Sequence, residues 1–297
     1  MKVIVSYSGG KDSQAALIWA CKNFDKELIR VIYCDTSWEH DLTYEHLVKS
    51  TEQMGVELIT LRSKKYNGFI DLAVKKKRFP STKARFCTEE LKVKPTIDYI
   101  LEQDDDLLII QGIRRDESNS RSKMMQHCNY FKYYFQPYKI DKEGKPKKHT
   151  YRAKEVKAWK EKYADEILRP CFEWSAQQTI DYIVDNGMNP NPLYKKGMSR
   201  VGCMPCIMCK HGEIKNIAEN MPEVIDKIRE AEKAVGRTFF PPQYIPDKYV
   251  KIRDAKGKYL PFIDGVVAYV AENPDQISMI EQPSDSDRCM SIYNLCE

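Results

Sequence analysis

The chain has 297 residues, of which 42% are hydrophobic, and its formal net charge is +5. This hydrophobic content supports a packed core, and the mild positive charge is compatible with anionic ligands without indicating nucleic acid by itself. The opening segment MKVIVSY runs straight into a glycine turn, so we expect no secretory signal, and no apolar run approaches the ~18 residues of a membrane span. We therefore expect a cytoplasmic protein, in which ten cysteines indicate free thiols, metal or redox chemistry rather than disulfides.

The first predicted element is a buried strand at residues 3–7, where a short β-branched run ends at a turn. A helix is expected to begin at Asp12 or Ser13, shortly after two glycines. Such a turn is an anion site, because its backbone amides and the helix dipole favour negative charge; a plain strand-to-helix turn is the alternative. The spacing matches neither the Walker loop nor the dinucleotide fingerprint. This candidate phosphate site comprises Ser8, Gly9, Gly10, Lys11, Asp12 and Ser13.

Polar residues follow the second predicted strand, LIRVIYC, at Asp35 and Thr36. Open parallel sheets bind ligands at the carboxyl ends of their strands, so both residues are candidates for the site. An Asx turn that leaves the strand is the alternative interpretation. A third strand is predicted in VELITLR.

The stretch ARFCTEELKVKPTIDYILEQ is interpreted as a loop that enters a helix, with Thr88 as the N-cap and Pro95 as a kink or break. The next stretch, DLLIIQGIRRDESNSRS, is a predicted strand followed by a charged turn that Gly112 opens. Its arginines can each grip a phosphate or sulfate with two hydrogen bonds, and a solvated charge cluster is the alternative. These arginines are Arg114, Arg115 and Arg121.

Three cysteines in CMPCIMC, at Cys203, Cys206 and Cys209, are separated by two residues each. This run is typical of ferredoxin-type iron–sulfur ligation, which needs a remote fourth thiolate. Zinc usually takes separated cysteine pairs, and buried structural cysteines are a further interpretation. Upstream of the run, Ser175 is predicted to cap a helix.

Five motifs, in the same order along the chain, resemble those of one family. SGGKDS resembles the pyrophosphate-binding loop of the ATP pyrophosphatase (PP-loop) superfamily, and DTSWEHDLT resembles the segment after the second strand in phosphoadenylyl-sulfate (PAPS) reductases. CTEELKVKP, GIRRDES and NPLYKKGMSRVGC resemble further motifs of the sulfonucleotide reductases. On these motifs the chain is identified as a member of the PAPS reductase family, together with the related ATP pyrophosphatase subunits of DNA phosphorothioation systems.

The resemblance covers about residues 1–122 and 166–210 and implies an α/β fold. We expect a Rossmann-like (adenine nucleotide α-hydrolase-like) parallel sheet with helices on both faces, plus a mostly helical C-terminal region. The expected divisions are a nucleotide-binding domain at 1–122 and 165–211, an insertion at 123–164 and the C-terminal region at 212–297.

The resemblance also implies a ligand, which would be ATP, PAPS or adenylyl sulfate, and Mg²⁺ on Asp35 would accompany it. The expected catalytic residues are Lys11, Asp35, Arg114 and Arg115. The phosphate site would bind the nucleotide together with Asp35, Thr36, Gly112 and Arg121.

The resemblance further implies a metal centre. In the iron–sulfur members, two adjacent cysteines of the CTEELKVKP motif are cluster ligands, whereas here Thr88 follows Cys87. We predict one 4Fe–4S cluster on Cys87, Cys203, Cys206 and Cys209, with zinc completed by His211 as the alternative.

Residues 123–164 do not match the family pattern. Residues 132–162 contain 11 Lys or Arg against 4 Asp or Glu, and aromatic residues crowd the start of this segment. Basic charge interleaved with aromatic rings suits single-stranded nucleic acid, so residues 130–162 are a candidate nucleic-acid surface. A hairpin that turns at residues 142–144, followed by a solvated helix, is the slightly favoured alternative.

The tail, residues 213–297, is predicted to begin with helices and to contain a further helix in PFIDGVVAYVAEN. PAPS reductases have a nucleophilic cysteine near the C-terminus in an ECG.H setting, and neither Cys289 nor Cys296 lies in such a motif. Three functions therefore compete: a sulfonucleotide reductase, an ATP pyrophosphatase that adenylates a nucleic-acid oxygen for thiolation, and a zinc-stabilised nucleotide-binding regulator. A sulfur donor or a thiol reductant protein is an expected partner, and an oligomer is compatible with the sequence.

Overall fold

The computed structural model describes residues 1–140 and 143–273. Its strands are β1 (Lys2–Ser6), β2 (Ile29–Cys34), β3 (Leu58–Leu61), β4 (Leu107–Gln111), β5 (His127–Asn129), β6 (Lys139–Ile140), β7 (Pro146–Lys147) and β8 (Asp165–Leu168). Six of them form one sheet in the order β3-β2-β1-β4-β8-β5, and β6 pairs with β7 in a separate hairpin. The predicted parallel sheet is confirmed for five strands, while β5 runs antiparallel at the edge beside β8.

The helices connect these strands and then form the C-terminal region. They are α1 (Lys11–Asn23), α2 (Asp41–Met54), α3 (Phe69–Lys76), α4 (Phe86–Thr88), α5 (Lys94–Leu101), α6 (Asn119–Ser122), α7 (Ala153–Lys160), α8 (Ala176–Asp185), α9 (His211–Asn220), α10 (Pro222–Val235) and α11 (Ile263–Glu272). The predicted cap of α8 is confirmed, because the Ser175 hydroxyl accepts the Gln178 N–H at 3.1 Å. The helix predicted in PFIDGVVAYVAEN is confirmed as α11.

The sheet is covered on both faces because side chains of a strand alternate between its two sides. In β1, Val3 and Val5 pack with apolar residues of α1, α2 and α8. Ile4, between them, packs on the opposite face with residues of α5 and α7. The expected Rossmann-like arrangement with helices on both faces is therefore confirmed.

The prediction that Thr88 caps a helix is wrong. Thr88 has helical backbone angles (φ −61°, ψ −45°) and makes no side-chain capping bond, because the helical run begins earlier, at Phe86. A π-helical turn, Glu89–Val93, precedes Pro95. Proline has no N–H and its ring crowds the preceding turn, so the wider turn lets the helix continue through Pro95 instead of breaking.

Residues 123–164 form part of the main fold and are not simply appended to it. Its β5 extends the main sheet, and the hairpin predicted within it is confirmed as β6 and β7. Val156 and Trp159 of α7 are buried against the sheet, so this helix is not wholly solvated. The segment thus supplies the connection between β4 and β8, and its limits as a separate domain stay a prediction.

The C-terminal helices share a core with the front of the chain. Residues of α9, α10 and α11 pack with α3 and with Trp38, whose ring stacks on Phe69 at 5.1 Å between centroids. Among the residues that the structure describes, no helix is both long and apolar enough to cross a membrane. Cys289 and Cys296 lie outside the described residues.

A buried carboxylate joins the C-terminal helices. Glu232 of α10 is 2% exposed, and it accepts the backbone N–H groups of Phe239 (2.8 Å) and Ile263 (2.9 Å). Burial raises the pKa of Glu232 from 4.5 to about 7, although the two backbone hydrogen bonds act to lower it.

We therefore predict that protein stability falls as pH rises from 4.5 to about 7, because the folded state binds this proton more tightly than the unfolded state does. The contribution has an upper limit of about 3 kcal/mol. Glu232→Gln should flatten this part of the profile in urea unfolding measured across pH. Glu230→Gln, at an exposed position on the same helix, is the control. Equal slopes for both variants would contradict the prediction.

Candidate functional site

One cavity opens where the central strands end. Ser8 follows β1, Thr36 follows β2 and Gly112 follows β4, and all three line it. The carboxyl ends of parallel strands are the usual place for ligands in open sheets. Other predicted residues on the cavity wall are Gly10, Lys11, Asp12, Ser13, Arg121, Cys87, Cys203, Cys206 and Cys209.

The phosphate loop has a conformation that requires glycine. Gly9 has φ +77°, and a Cβ there would lie 2.9 Å from the Thr43 Cγ2. Gly10 is extended and precedes the first turn of α1 without a side-chain cap. The Ser13 hydroxyl accepts the Ser8 N–H at 3.2 Å and donates to the Gly10 carbonyl at 2.9 Å. The loop is therefore held by its own serines, and helix α1 begins at the cavity.

Gly112 permits strand β4 to approach this helix. A Cβ at Gly112 would lie 2.3 Å from the backbone of Asp12 and Ser13, a distance that no side chain can occupy. The charged turn predicted to open at Gly112 is thus pressed against the first turn of α1.

A distant segment, residues 189–194, holds the phosphate loop in place. Asn191 is fully buried, and its amide donates to the Gly9 carbonyl at 3.2 Å. The Tyr194 hydroxyl accepts the Lys11 N–H at 3.0 Å, and Gln14 donates to the Asn189 carbonyl at 2.9 Å. Sequence reasoning assigned no role to Asn191 or Tyr194, although the NPLY motif contains both.

The cavity wall is rich in cationic side chains. The pKa of Lys11 is lowered chiefly by burial, while Asp12 acts in the opposite direction. Two buried guanidinium atoms on the wall, Arg85 Nη1 and Arg121 Nε, have no hydrogen-bond partner within the described residues. Buried donors are normally satisfied, so this wall fits an anionic ligand. Lys92 and Arg200 also line the cavity and were not singled out from the sequence, although both lie within the quoted motifs.

Arg114 supports the site from behind the wall. Its side chain is buried and forms ion pairs with Asp12, at 2.5 Å from Nε, and with Asp116. Arg121 is paired with Glu117 and reaches the wall itself. The two arginines therefore have different surroundings, which the sequence did not separate.

Three residues expected to be catalytic do not line the cavity, namely Arg114, described above, Asp35 and Arg115. The buried Asp35 carboxylate accepts hydrogen bonds from Arg62 (2.9 Å), Tyr44 (2.8 Å) and the Ser37 N–H (2.8 Å), so it organises the loop after β2. This engagement argues against Asp35 as a Mg²⁺ ligand. Arg115 is half exposed and pairs with Glu173 at 2.8 Å, because its side chain lies on the outer surface of the turn.

The four predicted cysteine ligands all line this same cavity. The backbones of Cys203 and Glu39 pair in an isolated antiparallel β-bridge. The Cys203 thiol also donates to the Glu39 carboxylate at 3.7 Å. Burial is the main cause that raises the pKa of Cys87 to about 11, with Cys206 as the second cause. Burial also raises the pKa of Cys203 and of Cys209. Within the described ranges, no three His, Cys, Asp or Glu side chains are grouped closely enough to hold a metal ion.

His211, the alternative zinc ligand, does not line the cavity. Its Nε2 lies 2.8 Å from the Tyr244 carbonyl, and its ring packs edge-on against Tyr244 and Tyr269. His211 begins α9 and belongs to the packing of the C-terminal helices.

The chain is similar to several known proteins. The model of the phosphoadenosine phosphosulfate reductase domain matches residues 2–209. An uncharacterized 37.8 kDa protein of Escherichia phage 186 is 28% identical over 99% of this chain and 96% of its own length. An uncharacterized protein of Methanocaldococcus jannaschii is 30% identical over 76% of this chain, which spans only 40% of that relative. The crystal structure of PAPS reductase from Candida auris superimposes with a TM-score of 0.45 and 15% identity, covering 68% of this chain and 81% of that one.

The hydrogen bonds of Asn191 lead to a testable prediction. Asn191→Ala should lower the free energy of unfolding by about 1–3 kcal/mol, because it leaves the Gly9 carbonyl and the Leu193 N–H without their buried partner. Chemical unfolding measures this loss, and Asn220→Ala, at an exposed amide on α9, is the matched control. Equal stability of the two variants would show that residue 191 does not hold the loop.

Proposed function

Since this chain belongs to the phosphoadenosine phosphosulfate reductase domain family, we propose that it binds ATP or a sulfonucleotide and catalyses sulfur transfer or reduction beside a 4Fe–4S cluster. The observation that carries the proposal is that the phosphate loop and four cysteines line one cavity. A zinc-stabilised regulator, the remaining alternative, would use such thiols only to hold the metal and would release neither pyrophosphate nor sulfite.

The nucleotide phosphates would lie at the start of α1. The amides of this first turn and the charge of Lys11 favour an anion there. Arg121 and Arg200, on the same wall, would stabilise negative charge that develops as a bond to phosphorus or sulfur breaks. The unsatisfied Arg121 Nε is the donor that such a ligand would engage.

The cysteine side of the cavity fits an iron–sulfur cluster by the chemistry of its donors. Thiolates are the usual ligands of such clusters, and Cys87 supplies the remote fourth thiol for the run at Cys203, Cys206 and Cys209. When bound, the cluster would supply a redox-active, polarisable centre close to the phosphates. Lys92, which lies near both Cys87 and Cys203, would offset part of its negative charge.

Two reactions are consistent with this cavity. With ATP, an acceptor oxygen would attack the α-phosphorus, and pyrophosphate would leave as the bond between the α- and β-phosphates breaks. With PAPS or adenylyl sulfate, a thiolate would attack sulfur, and the nucleotide would leave as the sulfur–oxygen bond to phosphate breaks. A second thiol, from a thiol reductant protein, would then release sulfite and leave a disulfide.

A second candidate function is the adenylation of a nucleic-acid oxygen for thiolation by a sulfur donor. The observation that favours it is the exposed basic and aromatic surface of the β6–β7 hairpin region. Tyr138, Lys147 and Lys148 are all exposed there.

Product release tests the proposed reaction. Protein purified without oxygen should release pyrophosphate from ATP or sulfite from PAPS. Lys11→Met should slow that release by about tenfold or more, because a charged partner of the phosphates is lost. Lys22→Met, at the far end of α1, is the control. Release of neither product by the native protein would overturn the proposal.

Metal content tests the cysteine set separately. The anaerobic protein should contain about four iron atoms and absorb near ~400 nm, as thiolate clusters do. Cys87→Ser should lose most of this iron, whereas Cys21→Ser, on α1 and away from the cavity wall, should retain it. A colourless protein with one zinc atom would refute the cluster, and equal iron in the two variants would show that Cys87 is not the fourth ligand.

A further inference from the structure

The aromatic residues at the start of the 123–164 segment divide into two sets. Tyr130, Phe131 and Tyr134 are at most 3% exposed and pack on the sheet. Tyr133, Phe135 and Tyr138 are 36%, 41% and 40% exposed. The buried set belongs to the core, and the exposed set lies at the surface, where Phe135 and Tyr138 contact buried rings with part of their surface free.

Tyr138 is held as a platform. Its ring stacks on His149 with centroids 4.5 Å apart and planes 16° from parallel. His149 is itself buried and lies against Tyr134. One face of the Tyr138 ring is therefore covered by His149, while the residue is still 40% exposed.

The hairpin brings the backbone of lysine residues close to that of Tyr138. The Tyr138 N–H donates to the Lys147 carbonyl at 3.1 Å, and β6 pairs with β7 in antiparallel register. Lys147 and the neighbouring Lys148 are exposed, and neither has a carboxylate partner among the residues that the structure describes. Lys145 is also exposed and forms an ion pair with Glu143 at 3.6 Å. The same hairpin region thus carries an oriented ring and several exposed lysines.

We propose that this hairpin surface, comprising Phe135, Tyr138, Lys145, Lys147 and Lys148, binds single-stranded nucleic acid. Stacking requires bases that are free of a duplex, and lysines provide contacts to the phosphates between them. DNA and RNA share this chemistry, and neither is distinguished by a ring and three lysines. An anionic membrane would be attracted to the lysines but would have no use for a ring fixed by stacking on His149.

The hairpin surface is attached to a wall of the cavity. Directly after the hairpin, the Tyr151 hydroxyl and the Arg152 guanidinium bind Asp98 at 3.0 and 2.8 Å, and Lys94 lies over the Tyr151 ring. Asp98 and Lys94 belong to α5, which continues the helical run that contains Cys87. The bound strand would therefore be the acceptor of the reaction, an assignment that rests on the proposed function, whereas strand binding does not.

Fluorescence anisotropy with labelled oligothymidylate and oligouridylate tests the binding, with no ATP or PAPS present. The triple variant Lys145→Glu, Lys147→Glu and Lys148→Glu should weaken binding at least tenfold. It should also reduce the slope of log affinity against log salt by about two, since each lost phosphate contact contributes roughly 0.7. In the control variant, three exposed lysines of the C-terminal region, Lys251, Lys256 and Lys258, are replaced by Glu. The two triple variants change the net charge of the protein by the same amount. Relative affinity for the two strands identifies which nucleic acid is bound.

Tyr138 separates stacking from charge. Tyr138→Ala should weaken binding by about tenfold without changing the salt slope, and Tyr138→Phe should restore it, because phenylalanine retains the ring face. The circular dichroism spectrum of each variant should match that of the native protein, which verifies that the variant is folded.

The proposal is overturned by any of three results. These are no binding of either strand, equal weakening by the two triple variants, and binding of phosphatidylserine vesicles but not of oligonucleotides. If the oligonucleotides bind as predicted and neither pyrophosphate nor sulfite is released, the proposed function fails while the binding surface stands.

Discussion

The site depends on hydrogen bonds that join the phosphate loop to a segment far along the chain. Asn191 reaches the Gly9 carbonyl across 182 residues, and the Tyr194 hydroxyl meets the Lys11 N–H across 183. The three-cysteine run follows this segment along the chain. The contacts that position the phosphate loop therefore also bring the thiols close to the loop. On the other side, the backbone bridge between Glu39 and Cys203 joins the run to the loop that follows β2.

The resulting cavity combines two kinds of group whose charged forms are disfavoured by burial. Burial lowers the pKa of Lys11 and raises the pKa of Cys87, so for both groups burial acts against the charged form. An anionic ligand beside Lys11 and a cationic centre beside the thiols would each reverse this effect. The unsatisfied donors of Arg85 and Arg121 indicate the same need for an anion. Burial, rather than any single contact, thus prepares the wall for charged ligands.

The chain uses the segment between β4 and β8 for two purposes. Phe131 and Trp159 cover one face of the sheet, while Tyr138 and the nearby lysines stay at the surface. One short segment can serve both purposes because neighbouring residues of a turn or hairpin point in opposite directions. It also means that replacing an aromatic residue here would affect folding or the exposed surface, depending on its position.

The sequence by itself determined the order of strands and helices at the front of the chain, the glycine turn, the cap at Ser175 and the family motifs, because these depend on local patterns and spacing. It also predicted Cys87 as a partner of the distant cysteine run, and the structure brings both to one wall. Only the tertiary structure showed that Asp35 and Arg115 are engaged elsewhere and that Asn191 and Tyr194 hold the loop. Those outcomes depend on which partners lie nearby after folding, since carboxylates, guanidinium groups and amides have the same local sequence signature whether they face a cavity or a neighbouring side chain.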